Sequence, residues 1–282
     1  MSTFASSLRP ADGWRNTLYK SLAMFKRDAM LEVSYDVSFW IRWLSIAGSV
    51  LAFYFISKLI PPSPRYGFGG HVATYFDFIV VSLAFVRFQA TAIQCFQNAI
   101  RTDQMAGTLE VLIATPTSLP TIILSTGLWA FTLTFLQVFV TLAIGLLLGV
   151  DLSHVNFTST FVFVLLTIAC MSPIGVMSAA GIMTFKQAGP TGFVMGSAAN
   201  LLGGALFPVS MLPLYLQYVS WLLPITHSLN GIRAAIHGAA LSQLVPDALW
   251  LIVAAAILLP ISLWSFGRAV QRAKIDGTLG QY

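Results

Sequence analysis

Six long apolar runs alternate with short polar segments along the chain of 282 residues. Each run has the length of roughly 18 residues or more that a helix needs to cross the hydrocarbon core of a bilayer. The runs cover residues 36–60, 74–96, 119–150, 157–185, 191–209 and 247–267. A helix satisfies its own backbone polar groups in lipid. The pattern therefore predicts an all-α integral membrane protein with six transmembrane helices.

Charged residues are rare, at 9% of the chain, whereas a soluble domain carries about a quarter. Eleven of the 15 lysines and arginines precede or begin the first run, or follow the second, fourth or sixth run. Because cytoplasmic loops carry the basic excess, both termini are expected in the cytoplasm. The net charge of +5 therefore reflects membrane topology, and no nucleic-acid partner is expected.

The first 35 residues form an amphipathic segment of their own. Trp14, Leu18, Leu22 and Phe25 recur at steps of three or four residues, while basic residues occupy other faces. This spacing predicts a helix in the cytoplasmic membrane interface, or alternatively a short soluble helix packed on a partner. The expected parts are this interfacial segment at 1–35, a six-helix transmembrane domain at 36–267 and a cytoplasmic tail at 268–282.

Prolines break the apolar segment between the fifth and sixth runs. Pro208, Pro213 and Pro224 divide it into helices too short to cross a hydrocarbon core of about 30 Å. The simplest arrangement is a re-entrant helical hairpin, in which two short helices dip into the outer leaflet and return. Broken backbone at membrane depth is tolerated where protein or a water-filled cavity covers it. We assign the three prolines and Arg233 to a candidate external gate.

The second run carries a polar stripe. Arg87, Thr91, Gln94 and Asn98 are four, three and four residues apart, which places them on one helix face. A polar face in a membrane helix faces protein or water rather than lipid. Two interpretations stay open. The stripe lines a cytoplasm-facing cavity or contacts a partner subunit, or Arg87 snorkels while the other side chains form interhelical hydrogen bonds.

Two pairs of glycines have the four-residue spacing that lets membrane helices approach closely. They are Gly145 with Gly149 and Gly192 with Gly196. The spacing is compatible with packing inside one subunit and with a contact between two copies.

The sequence lacks the motifs of several enzyme and metal-site classes. It contains no P-loop pattern G-x-x-x-x-G-K-[ST], no H-E-x-x-H, no C-x-x-C and no G-x-S-x-G. Its four histidines, at positions 71, 154, 227 and 237, have no carboxylate at helical ligand spacing. These patterns predict a chain that has no catalytic residue, no metal site and no cofactor of its own.

A polar segment, RTDQMAGTLEVLIATP at residues 101–116, joins the second and third runs. The charge distribution places it in the cytoplasm, where its polar side chains are available to a soluble protein. Its AGTLEVLIATP portion, together with FPVSMLP at 207–213 and LLPITHSLNGIR at 222–233, resembles the recurrent motifs of type-2 ATP-binding cassette (ABC) transporter permeases. That family includes drug, lipid and polysaccharide exporters, and the resemblance covers nearly the whole chain.

The resemblance implies that residues 101–114 form a coupling helix that docks on a separate P-loop ABC ATPase, which binds ATP and Mg. Glu110 is the implied acidic contact. The implied coupling residues are Arg101, Asp103, Gln104, Gly107, Thr108, Leu109, Glu110 and Pro116. A second permease copy is also implied, as a homodimer or as a heterodimer with a sibling permease, in the plasma membrane (bacterial inner membrane). The expected function is export of a drug, lipid or lipid-linked glycan by a chain that is not itself an enzyme.

Two other functions are compatible with the composition. A channel or secondary transporter would use the Arg87 stripe for ions and need no soluble partner, although acids for a proton relay are few. An intramembrane transferase acting on lipids would need converging catalytic groups, which the sequence does not indicate. A gene for a P-loop ATPase beside this one would distinguish the three functions.

Overall fold

A computed structural model describes residues 36–62, 74–105, 119–185 and 200–275, together with isolated positions at 22, 25, 26, 30, 196 and 197. The described residues form helices joined by turns, so the all-α prediction is confirmed for them. The helices are α1 (Asp36–Ser57), α2 (Tyr75–Met105), α3 (Leu119–Leu147), α4 (Phe157–Phe185), α5 (Leu214–Leu222), α6 (Pro224–Ile236) and α7 (Val245–Ile275). Short 3-10 turns lie at Val209–Met211 and Leu241–Gln243.

Five of these helices, α1, α2, α3, α4 and α7, are long and apolar enough to cross a membrane. They correspond to the first, second, third, fourth and sixth predicted spans. Most of the fifth predicted span and nearly all of the segment at 1–35 lie outside the described residues. The sixth crossing and the interfacial helix therefore stay predictions.

Two helices extend past the ends that hydropathy predicts. α2 continues to Met105 rather than ending at Phe96, and α7 continues to Ile275 rather than ending at Gly267. Hydropathy marks where side chains become polar, but polar side chains are compatible with a helix, and no glycine or proline interrupts either extension. With 31 residues each, both helices are about 46 Å long, which exceeds a hydrocarbon core of about 30 Å.

α3 ends at Leu147, before the predicted end of the third span at Val150. The turn that follows contains Gly149 at φ 103°. The amide of Val150 donates to the carbonyl oxygen of Gly145 at 3.0 Å, which is the hydrogen bond of a Schellman cap. Glycine adopts this left-handed backbone without strain. An added Cβ on Gly145 would lie 2.7 Å from Val80 on α2. Gly149 therefore caps the helix, and Gly145 makes a close contact within the subunit.

A second Schellman cap shortens the fifth predicted span. Helical conformation ends by Leu202 instead of continuing to Val209. Gly204 has φ 74°, and the amide of Ala205 donates to the carbonyl oxygen of Asn200 at 3.1 Å. Hydropathy does not detect this end, because the residues after the cap are as apolar as those before it.

The core is formed mainly by α2, α4, α6 and α7. α2 and α4 approach closely at Gly175, where an added Cβ would lie 2.8 Å from the carbonyl oxygen of Ile93 and still closer to that of Ala92. α6 approaches α4 in a similar way, because Gly231 faces the ring of Phe163 with no room for a Cβ. α2 and α6 are therefore both packed against α4.

α1 lies at the periphery of the bundle. Its buried face contributes Val50 to a cluster with α2, whereas Trp40, Leu44 and Phe55 are 70%, 74% and 67% exposed. A large exposed apolar face marks contact with a membrane or with another protein. The exposed face of α1 is therefore suited to contact with lipid or with a second subunit.

Candidate functional site

Each proline of the candidate gate stands at the start of a helical element. Pro208 precedes the 3-10 turn Val209–Met211, Pro213 is the N-cap of α5, and Pro224 is the first residue of α6. A proline in the first turn costs no hydrogen bond, because the amide that it lacks has no partner within the helix. The resulting helices have 9 and 13 residues and are about 14 and 20 Å long, too short to cross a bilayer.

The two short helices differ in burial. α5 is largely exposed, with Tyr218 at 77%. Most residues of α6 are buried, and its Ser228 shares a hydrogen bond with Thr167 of α4. With the close contact at Gly231, this bond makes α6 part of the core rather than a lid on its surface.

Arg233, near the end of α6, is 7% exposed and joins three parts of the fold. Its Nε donates to Oγ of Ser82 on α2 at 3.2 Å, and its Nη2 donates to the same oxygen. Nη2 also donates to the carbonyl oxygen of Gly204 at 2.6 Å. The guanidinium carbon lies 3.8 Å from the ring centroid of Phe78 on α2. One side chain therefore ties α6 to α2 and to the turn that precedes the hairpin.

The contacts of this cation are neutral. Ser82 donates its own hydroxyl hydrogen to the carbonyl oxygen of Phe78 at 2.6 Å, so its oxygen lone pairs are free to accept from Arg233. No carboxylate of the described residues lies within ion-pair distance of the guanidinium. Burial of a charge without a counter-charge is costly, and here hydrogen bonds and an aromatic face offset the lost hydration. An ionisable group kept at such cost inside a membrane protein indicates a functional site.

The first turn of α2 is fixed next to the same turn. The hydroxyl of Tyr75 donates to the carbonyl oxygen of Leu206 at 3.0 Å. A capping box begins the helix, because the amide of Thr74 donates to Asp77 Oδ2 at 3.0 Å and the amide of Asp77 donates to Thr74 Oγ1 at 3.2 Å. α2 therefore starts from a well-defined position beside the candidate gate.

His227 on α6 pairs with Asp247 in the first turn of α7. Its Nδ1 lies 2.6 Å from Oδ1 of Asp247, and its Nε2 lies 2.8 Å from the backbone oxygen of Trp221 on α5. The ring stacks on Trp250, with centroids 4.6 Å apart. Partial burial lowers the pKa of His227, but the hydrogen bonds to Asp247 and Trp221 and the charge of Asp247 raise it more, so the pKa lies above its ordinary value. Sequence spacing gave no signal for this pair, because its members belong to different helices.

The polar stripe lies on one face of α2, but its members have different surroundings. Oγ1 of Thr91 lies 2.6 Å from Oγ1 of Thr134 on α3. Thr134 donates its hydrogen to a carbonyl of its own helix, so Thr91 is the donor of this interhelical bond. Gln94 and Asn98 are exposed. Nε of Arg87 is buried and has no hydrogen-bond partner among the described residues. For Arg87, Gln94 and Asn98 all the predicted roles stay open: a cavity wall, a contact with a partner subunit, or snorkelling by Arg87 with interhelical hydrogen bonds.

Three of the implied coupling residues fall within the described part of the chain. Arg101, Asp103 and Gln104 belong to α2, and Arg101 is exposed. A separate coupling helix was expected to begin at residue 101, but residues 101–105 continue α2, because nothing between Phe96 and Met105 interrupts the helix. The others lie outside the described residues: Gly107, Thr108, Leu109, Glu110 and Pro116.

α2 therefore connects the candidate gate with the start of the candidate coupling segment. Ser82 contacts Arg233 near one end, and Arg101 lies about 28 Å further along the same helix at 1.5 Å per residue. Sharp kinks arise mainly at proline and glycine, and α2 contains neither. α2 is therefore one uninterrupted helix between the two regions.

The described residues offer no cluster suited to a metal. No group of three or more His, Cys, Asp or Glu among them lies close enough to hold an ion. Cys95 and Cys170 are free and belong to different clusters of the core. The polar groups that the structure brings together link helices to one another.

The chain also matches a known protein family over most of its length. Residues 13–237 match the family described as ABC-2 type transporter. The matched range contains α1 to α6 and all the predicted gate, stripe and coupling residues. No curated protein gives a match to the chain. The family resemblance that the motifs indicated is confirmed.

Proposed function

The chain belongs to the ABC-2 type transporter family, and we propose that it is the permease subunit of an ATP-driven exporter whose ATPase is a separate chain. Family membership makes the chain a component of membrane transport rather than an enzyme. Its five long apolar helices agree with a multi-pass membrane protein. ATP and Mg would be bound by the partner, because this sequence has no P-loop.

The observation that carries this proposal is the course of α2. This helix contains no proline or glycine. Ser82 accepts a hydrogen bond from Arg233 of the gate, and Tyr75 donates one to Leu206 in the turn before the hairpin. The other end of the helix lies where the predicted coupling segment begins. A transporter that uses energy from a soluble motor needs such a mechanical connection between its two faces. A channel that works without a soluble motor needs no such connection to a coupling segment.

The contacts of α2 support the proposed cycle. ATP binding closes the ATPase pair and displaces the coupling segment. α4 moves with α2, because their backbones are in direct contact at Gly175. The displacement reaches α6 through Ser82 and Arg233, and it reaches the turn before the hairpin through Tyr75. Movement of α6 together with α2, away from α7, then opens a route to the outside.

The proposed substrate is hydrophobic or amphipathic: a drug, a lipid or a lipid-linked glycan. The apolar composition of the bundle supports this class, because such a molecule enters from the inner leaflet without a hydrated path. The proposed complex holds two permeases, with the exposed face of α1 available for contact. Its proposed location is the bacterial inner membrane, with both termini in the cytoplasm.

Reconstitution of the permease with its ATPase into proteoliposomes tests the proposal. We expect the two chains to co-purify, ATP hydrolysis to rise when an amphipathic substrate is added, and the permease alone to move nothing. A screen of drugs, lipids and lipid-linked glycans for stimulation identifies the substrate class. Ion or substrate flux through the permease without any ATPase would instead support the channel or secondary transporter.

Arg233→Met tests the gate. The substitution removes the donors to Ser82 and Gly204 but keeps an apolar side chain of similar length against Phe78. Hydrogen bonds of a charged group contribute about 1.5–3 kcal/mol each, so we expect coupled transport to fall about tenfold or more. Insertion and ATPase binding should persist, because an apolar replacement of a buried charge is tolerated. Substrate-stimulated ATP hydrolysis and transport are measured in proteoliposomes.

Arg268→Met is the matched control. Arg268 on α7 also lies over an aromatic ring, 4.1 Å from the centroid of Trp264, but it is exposed. This variant should transport like the unmodified chain. Equal losses in the two variants would show that the loss follows from removal of any stacked arginine, and the role of Arg233 in the gate would be rejected.

A further inference from the structure

Three helices meet at the imidazole of His227. Asp247 of α7 lies at one ring nitrogen and the backbone oxygen of Trp221 at the end of α5 lies at the other. The side chains of His227 and Asp247 are 12% and 23% exposed, so the pair is largely shielded but remains in contact with solvent. The contact holds α6, the buried helix of the hairpin, against the first turn of α7.

The geometry favours the protonated imidazole. Carbonyl and carboxylate oxygens accept hydrogen bonds, and a neutral imidazole carries a hydrogen on only one of its two nitrogens. Both ring nitrogens of His227 lie within 2.8 Å of an acceptor oxygen. The imidazolium satisfies both contacts at once. Loss of its proton leaves one nitrogen facing an oxygen with no hydrogen between them.

The surroundings favour the same state. The face of the ring stacks on Trp250 of α7, and an indole face attracts a cation. Trp221, on α5, lies with its ring centroid 5.7 Å away. Among the described residues, Asp247 is the charged group that faces His227 from the helices packed against it. The state of this contact therefore depends on one histidine and one carboxylate.

We propose that His227 and Asp247 form a proton-dependent clasp, which holds α6 and the end of α5 to α7 and weakens as the pH on that side of the membrane rises. Its role in transport rests on the proposed function, because α6 is the element that the gate would move. The chemistry needs no ligand besides the proton, and the sequence predicts that this side is external.

The direction of the pH dependence follows from the raised pKa of His227. A group whose pKa is higher in the folded state stabilises that state fully below its unfolded value, which is about 6.5 for histidine. The stabilisation is lost as the pH rises through the higher folded value. The clasp is therefore closed in mildly acidic medium and open in alkaline medium.

Thermal unfolding of the full chain in lipid nanodiscs tests the clasp without any transport. At about pH 5.5, below the ordinary histidine pKa, His227→Gln should lower the midpoint by about 2–4 °C. At about pH 8.5 the difference should be clearly smaller, because the neutral ring keeps only one of its two hydrogen bonds and its stacking on Trp250. Asp247→Asn should behave in the same way, and the double variant should lose no more than either single variant. His154→Gln, at an exposed histidine between α3 and α4, should show no such difference.

If His227→Gln lowers the thermal midpoint by the same amount at both pH values, the pair contributes only packing that does not depend on protonation, and the clasp is overturned. Additive losses in the double variant would overturn it as well.

Transport in the complex with the ATPase supplies the second readout. The pH inside the proteoliposomes, on the gate side, is varied while the pH at the ATPase is held constant. Transport by the unmodified chain should increase severalfold as the internal pH rises, and transport by His227→Gln should be fast and independent of pH. A flat profile of an active complex would overturn the clasp and leave the proposed function standing. Failure to associate with any ATPase would overturn the proposed function, while the unfolding experiment still decides on the clasp.

Discussion

Reversing the charge at Glu110 should leave the protein in the membrane but abolish substrate-stimulated ATP hydrolysis. Glu110 is the acidic contact that the family motif implies for the ATPase groove. Opposing like charges cost several kcal/mol in an interface, so Glu110→Lys should weaken association by about 30-fold or more. The measurement is the affinity of the purified ATPase for the permease, followed by stimulated hydrolysis in proteoliposomes. The unmodified complex provides the reference.

Asp276→Lys is the matched control for this charge reversal. Asp276 lies in the predicted cytoplasmic tail, beyond the range that matches the family. The change in net charge is the same, so the general electrostatic effect on a soluble partner is also the same. We expect this variant to bind and stimulate the ATPase normally. If both variants lose coupling equally, the loss reflects bulk charge and the specific role of Glu110 is rejected.

Gly175→Ala should separate α2 from α4. Its Cβ would lie 2.8 Å and 2.9 Å from the carbonyl oxygen and Cα of Ile93, and closer still to the carbonyl oxygen of Ala92. These are backbone atoms, so no side-chain rotation relieves the overlap and the helices have to shift. Overpacking of this kind costs about 1–3 kcal/mol. We expect a lower thermal midpoint in nanodiscs and, in the reconstituted complex, ATP hydrolysis that no longer drives transport.

Gly181→Ala supplies the control on the same helix. Gly181 has open space where its Cβ would lie, with no atom within 4 Å. Alanine has a higher helix propensity than glycine, so this variant should be as stable as the unmodified chain or slightly more stable. Equal destabilisation at both positions would contradict the close contact of α2 and α4. It would also remove the reason to treat the two helices as one moving unit.

Hydropathy located the helices well where local capping coincides with the membrane edge. α4 begins and ends where the apolar pattern predicts, and Asn156 fixes its start by accepting a hydrogen bond from the amide of Ser159 at 3.1 Å. Hydropathy predicted the ends of α2 and α7 too early in the sequence, because the apolar pattern stops before the helix does. The ends of α3 and of the stretch before Gly204 were set too late, because glycine caps stop a helix inside apolar sequence.

The breaks at the gate prolines could be predicted from the sequence, because each proline restricts its own backbone and starts a helical element. The contacts of Arg233 could not be predicted in this way. Its partners Ser82 and Gly204 lie 151 and 29 residues away, and no local periodicity encodes such pairs. The same limit applies to His227 and Asp247, which lie 20 residues apart on different helices. Local sequence patterns predict the helices, whereas tertiary packing determines which polar side chains come into contact.

Because α2 is one continuous helix, the direction in which side chains point at one end determines the direction in which they point at the other end. An α-helix turns by about 100° per residue, so one residue inserted between Ser82 and Arg101 would rotate either end by that angle relative to the other. Ser82 would then face away from Arg233 whenever the cytoplasmic end kept its orientation. Seven inserted residues, about two turns, would nearly restore the orientation and lengthen the helix by about 10 Å. Changes of length in this stretch are therefore far more restricted than changes of side chain.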